Sequence, residues 1–164
     1  MTMNQGEKRK CELVEKLGIF LEKKEHMAPV AARIFSYIIL TGKQGTTFED
    51  LVSNLCASKS TISTHLNHLQ DLKKLSYFTK TGDRKKYFII NKDTTVQTIS
   101  NMINEWKDEK QLHLEIKAYK EDVNKSLEKE NQFELDYHKS FIEFLDGAII
   151  SINKLKETII NNKH

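Results

Sequence analysis

TTFEDLVSNLCASKSTISTHLNHLQDLKKLSYFTKTGDRKKYFII, residues Thr46 to Ile90, carries three local patterns in succession. In the first, Thr46 or Thr47 can cap a short helix, with Glu49 or Asp50 near its positive end. Leu51, Val52 and Leu55 supply its inner face. Cys56-Ala57 is a turn, and Ser58 then offers a second N-cap that opens a helix from Lys59 to about Lys73. Ile62, Leu66, Leu69 and Leu72 recur there in three- and four-residue steps, so they face inward. The third pattern, SYFTKTGDRKKYFII, alternates like a hairpin. Tyr77 and Phe78 open one strand, and Tyr87 to Ile90 form the other. Thr81-Gly82-Asp83-Arg84 is the tip, where Gly82 is free to take positive φ. Helix, turn, helix and basic hairpin, in that order, predict a winged helix-turn-helix.

Working outward, a first helix is expected from about Glu7 to Lys24, with Leu13, Leu17, Phe20 and Leu21 at helical spacing. Pro29 starts a second, since proline suits a first helical turn, and Gly42 stops it. Ile34, Phe35, Ile38 and Ile39 are its expected core residues. Beyond the hairpin, Thr94 is the expected cap of a long helix reaching about Glu128. Ile99, Ile103, Trp106, Ile116, Tyr119, Val123 and Leu127 keep a period near 3.5 there. After a break near Glu128 to Gln132, a last helix carries Tyr137, Phe141, Leu145, Ala148, Ile152, Leu155 and Ile159. Each stripe spans more than about 25 residues, roughly 37 Å at 1.5 Å per residue, which exceeds the width of a small winged domain. The two can pair as an antiparallel hairpin, and a second copy of the chain is expected to bury the remainder. The expected fold is therefore mainly α with a small β-wing, a winged helix-turn-helix plus long C-terminal dimerisation helices. Residues 1–28 form an N-terminal helix joining the dimerisation region, 29–93 the DNA-binding domain, and 94–164 the helical dimerisation region.

Composition narrows the function classes. No run of about 18 apolar residues occurs, so no membrane partner is expected. MTMNQGEKRKCELVEK lacks the apolar stretch of a signal peptide, which makes the cytoplasm the expected location. Cys11 and Cys56 cannot form a secreted disulfide scaffold; the expectation is two reduced thiols, one of them buried. Cys11 follows Lys8, Arg9 and Lys10, so a thiol redox sensor stays open as an alternative. There is no GxSxG, P-loop or Rossmann glycine pattern, and an enzyme is not expected. His65 and His68 lack further ligands at metal-binding spacing, so neither a metal nor a cofactor is expected.

Net charge is only +3, and its distribution says more. From Leu51 to Lys92 there are eight Lys or Arg against two acids, while from Thr94 onward ten basic residues face thirteen acidic ones. A basic middle between neutral or acidic flanks is a localised phosphate-binding face. The polar side of the second short helix shows Lys59, Ser60, Thr61, Ser63, Thr64, Asn67 and His68, with Ser58 at its head. Small hydroxyls can reach phosphate or base edges, Asn67 can pair bidentately with adenine, and a helix N-terminus attracts phosphate. Arg84 is the expected minor-groove contact, with Asp83 orienting it. Lys80 and Lys73 or Lys74 are expected on the DNA backbone, and Lys85 and Lys86 are expected to bind DNA beside Arg84 at the hairpin tip. The expected partner is double-stranded DNA, read as a pseudo-palindrome by a homodimer. A winged domain used only for protein–protein assembly is the rival reading. Arg33, alone in an apolar helix, is expected to pair with an acid. Trp106, Tyr137, Phe141 and Phe144 are expected in core or dimer contacts, or lining an effector cavity.

These residues resemble a known family. APVAARIFSYIIL, FEDLVSNLCASKSTISTHLNHLQDL and GDRKKYF together look like a MarR-type regulator, and more closely like its GbsR-like branch. The particular matches are Pro29 and Arg33 in the second helix, Ser58-Lys59-Ser60, and the Asp83-Arg84 pair. The chain departs from the family at Ala32, where glycine is frequent, and at Ala57, where valine is usual. The resemblance spans about Leu13 to Ile90; past Thr94 only the helical pattern agrees. It implies a dimeric DNA-binding transcriptional regulator, with a possible small-molecule effector of unknown identity.

Overall fold

The computed structural model describes residues 4–162; residues 1–3 and 163–164, at the outer ends of the first and third expected regions, lie outside the described residues. The chain divides into two compact units, the first ending at Asn91 and the second beginning at Lys92. The first holds α1 (Gln5–Glu25), α2 (Pro29–Thr41), α3 (Phe48–Asn54), α4 (Lys59–Asp71), β1 (Leu75–Phe78) and β2 (Tyr87–Ile90). The second holds α5 (Lys92–Asn124) and α6 (Asp136–Asn161). This is the mainly α fold with a small β-wing that the patterns predict.

Local chemistry sets most boundaries of the first unit. Asn4 and Glu7 form a reciprocal capping box at the head of α1, and Thr47 and Asp50 do the same for α3. Ser58 caps α4 by accepting from the Thr61 amide. Past Asp71, Lys73 takes a left-handed conformation at φ 56°, and the Lys74 amide closes back on the Leu69 carbonyl. β1 and β2 pair antiparallel from Leu75↔Ile90 to Phe78↔Tyr87, and a bridge from Thr46 to Phe88 adds a short third edge. The core gathers Ala31, Ile34 and Ile38 of α2, Leu51 of α3, Ile62, Leu66 and Leu69 of α4, with Leu75 and Phe88 of the hairpin.

Several inward assignments shift. In α1 the buried positions are Val14, Gly18 and Leu21, while Leu13 and Phe20 are exposed. The helix is turned because Arg33 lies against it: a Cβ at Gly18 would sit 3.3 Å from the Arg33 Cγ. Arg33 donates to Glu15 at 3.0 Å and to Glu22, and also to the Pro29 carbonyl. α1 thus packs along α2, within the same unit as the winged elements. Ile39 is exposed and Phe35 half-buried, so α2 buries a narrower stripe than its apolar sequence implies. Leu72 is 49% exposed because it is the C-cap, where the chain leaves the helical path.

In the second unit α5 begins two residues before Thr94, which lies inside the first turn, and ends at Asn124. A 3-10 turn at Lys129–Asn131 leads to α6. Asn124 fixes the reversal by exchanging two hydrogen bonds with the Phe133 backbone. At the other end the Lys92 ammonium donates to the Asn162 carbonyl, so the helices run antiparallel. Ile99, Ile103 and Leu145 are buried in this hairpin, whereas Tyr119, Tyr137 and Leu155 are exposed.

Candidate nucleic-acid interface

The buried residues of α4 define its opposite side. Ser60, Thr64, Asn67 and Asp71 follow in steps of four, three and four, which places them in one outward row, and all are exposed. Lys59 and His68 flank the row and are also exposed, while Thr61 and Ser63 are half-buried. Thr61 belongs to the cap: its hydroxyl lies 2.8 Å from the Ser58 hydroxyl, which is 2.9 Å from that of Ser60. Thr64 donates its proton to the Ser60 carbonyl at 3.0 Å, leaving its oxygen lone pairs as acceptors outward. Asn67 uses only its carbonyl oxygen, toward Gln70 at 3.4 Å, so both amide protons remain for a partner. The sequence reading missed Asp71. It lies one turn beyond Asn67 in the same row and puts a negative charge at the C-terminal end of that face.

Ring contacts and hydrogen bonds link the wing's strands and tip. Phe78 and Tyr87 stack across the strands with centroids 5.5 Å apart. The Lys80 ammonium sits 3.8 Å from the Tyr87 ring centre, and that of Lys86 4.3 Å from the Tyr77 ring centre. At the tip the Asp83 amide donates to the Lys80 carbonyl at 3.0 Å, and Gly82 takes φ +79° as expected. Asp83 does not orient Arg84. Its carboxylate accepts from the Tyr87 hydroxyl at 2.6 Å and from the Lys85 amide at 2.9 Å. These two donors, Tyr87 first, hold Asp83 below the usual carboxylate range, and the same bond raises the Tyr87 phenol. Arg84 and Lys85 stay exposed at the tip. Lys74 pairs with Glu25 at 2.6 Å and lies over the Phe35 ring.

Both cysteines are exposed, which corrects the expectation that one is buried. The fold also brings them to the walls of one cleft of about 450 Å³, between α1, α2 and the turn that precedes α4. Val14, Pro29, Val30 and Leu55 make the cleft largely apolar, and Tyr37 and Arg33 add polar edges. Nothing in the spacing of Cys11 and Cys56 announces this meeting. Among the described residues no group of three or more His, Cys, Asp or Glu is placed to hold a metal ion. Among the described residues, no helix is long and apolar enough to cross a membrane.

The fold has a solved counterpart. A crystal structure described as that of a transcriptional regulator superposes on this chain with a TM-score of 0.50, covering 93% of this chain and 99% of the other. Sequence identity is 16%, so the likeness carries the fold alone. No protein-family model matches the chain, and no curated protein does.

Proposed function

We propose that this chain is a homodimeric transcriptional regulator that binds pseudo-palindromic double-stranded DNA through α4 and the wing. One observation carries the reading: an exposed row of hydroxyl and amide groups on a capped helix shares a unit with a hairpin that carries four cations, two of them held over tyrosine rings. In this reading Ser58, Lys59, Ser60, Ser63, Thr64 and Asn67 serve the major groove, with Thr61 and His68 at its margins. Arg84 enters the minor groove, and Lys80, Lys85 and Lys86 neutralise phosphates. The solved counterpart described as a transcriptional regulator and the MarR-type resemblance point the same way.

Dimerisation is supported by α6. Tyr137, Phe144 and Leu155 stand seven and eleven residues apart, so they share one row, and each is more than half exposed. An exposed row of large apolar side chains along a helix marks an interface, and a second copy of the chain is the occupant that two-fold DNA sites require. The test is anisotropy of labelled duplex DNA against salt, after selecting bound fragments from a random pool. The expected log–log slope is roughly −0.9 per phosphate contact. A chain that binds no duplex at low salt would instead be a winged protein–protein module.

The cleft supports a second reading, that the regulator answers to thiol chemistry. Cys11 and Cys56 both line it, and Asn54 to Ala57, which line it too, lead directly into the Ser58 cap. Replacing both cysteines with serine should leave DNA binding intact and abolish any loss of binding caused by a thiol-alkylating reagent. An undiminished response would remove this reading.

A further inference from the structure

A basic cluster around one buried histidine in the second unit plays no part in the DNA reading. His138, the third residue of α6, is only 6% exposed. Its Nε2 lies 2.9 Å from the Lys120 Nζ, and its Nδ1 lies 2.9 Å from the Nδ1 of His113. Both partners belong to α5, so this chain of contacts ties the two long helices together.

Its hydrogens have one arrangement. An ammonium has donors only, so Nε2 of His138 must accept and carry no proton. The neutral ring then holds its proton on Nδ1 and donates it to His113. His113 in turn must accept at Nδ1, so it too is neutral, with its proton on Nε2. A further proton has no place. On His138 it would set an N–H against the Lys120 ammonium; on His113 it would set two N–H groups head to head.

We propose that Lys120, His138 and His113 form a proton-operated lock on the α5–α6 hairpin, closed while both imidazoles are neutral and opened when acid protonates them. The surroundings agree. Phe141 and Tyr137 of α6 pack on the His113 ring at 4.6 and 5.9 Å, and the Lys120 ammonium lies 5.4 Å from the Phe133 ring. The titratable groups in contact with His138 are Lys120 and His113 of α5 and Tyr137 of its own helix, whose ring centre lies 5.6 Å away, and none of the three is a carboxylate. Asp136, on the same helix, is turned outward toward Lys139. The first turn of a helix adds its own positive potential. Burial first, then Lys120 and His113, push His138 below the ordinary histidine value. A depressed folded value means that the unfolded chain takes up the proton first. Stability is therefore full above about pH 6.5 and falls as pH drops from there through the folded value of His138.

Nitrogen and carbon NMR of histidine-labelled full-length protein tests this. His138 should show the Nδ1–H tautomer at pH 7.5 and titrate below the ordinary histidine value of about 6.5. Lys120→Gln should move the His138 midpoint upward. The melting temperature of the parent protein should fall more between pH 7.5 and 5.5 than that of His138→Gln. A His138 midpoint at or above about 6.5, or one unmoved by Lys120→Gln, would overturn the lock. If His138→Gln does not fold, the two NMR readings decide alone. The outcome is independent of whether the chain binds DNA.

Discussion

Arg84 and Asn67 illustrate how single side chains divide the work at the proposed interface. Arg84 stands exposed at a tip whose carboxylate is occupied by Tyr87 and the Lys85 amide, so its charge is not neutralised by Asp83. Arg84→Ala should weaken duplex binding, lower the salt slope by about one contact, and relax preference for A·T-rich flanks. Unchanged flank preference in a selection experiment would place Arg84 on the backbone. Asn67 keeps both amide protons available, as adenine recognition needs. Asn67→Ala should cost about 1–3 kcal/mol at one base pair of the operator and little elsewhere, read by competition with single-base variants. Tyr87→Phe is a subtler change. It removes the donor that holds the Asp83 carboxylate, and DNA affinity should fall while the melting temperature stays close to that of the parent.

Among the elements, α4 and the wing depend on small features at their ends. Ser58 accepts from the Thr61 amide and anchors a cluster of three hydroxyls. Ser58→Ala should lower stability by about 1 kcal/mol, seen by urea unfolding, and weaken DNA binding further by fraying the reading end of α4. Gly45 matters for the hairpin. Its φ of 75° and ψ of 160° lie in a region almost closed to other residues, and a Cβ there would meet the Tyr87 Cβ at 2.7 Å. Gly45→Ala should cost at least about 1–3 kcal/mol from the backbone conformation, with the clash added. A melt equal to that of the parent would mean the base of the wing can rearrange.

At the scale of the whole molecule, the proposed function needs two copies. α6 exposes Tyr137, Phe144 and Leu155 in one row, and burial of such side chains stabilises by roughly 1.5–3 kcal/mol each. Light scattering should give the mass of a dimer for the parent chain. Phe144→Glu with Leu155→Glu should yield a monomer that keeps its helical content and binds an operator far more weakly. A double variant that stays dimeric would move the interface elsewhere.

The sequence by itself determined what is local. The Ser58 cap, the Gly82 turn and the spacing of Ile62, Leu66 and Leu69 each rest on groups a few residues apart, so chain order is enough to read them. Tertiary structure alone decided which face α1 buries, because Arg33 with its two glutamates occupies the ground that Leu13 and Phe20 were expected to take. It also joined Cys11 with Cys56 in one cleft and His113 with His138 at 2.9 Å. Pairings of that kind depend on how two surfaces meet. Residue order along either surface does not encode the meeting, and neither composition nor period could have announced it.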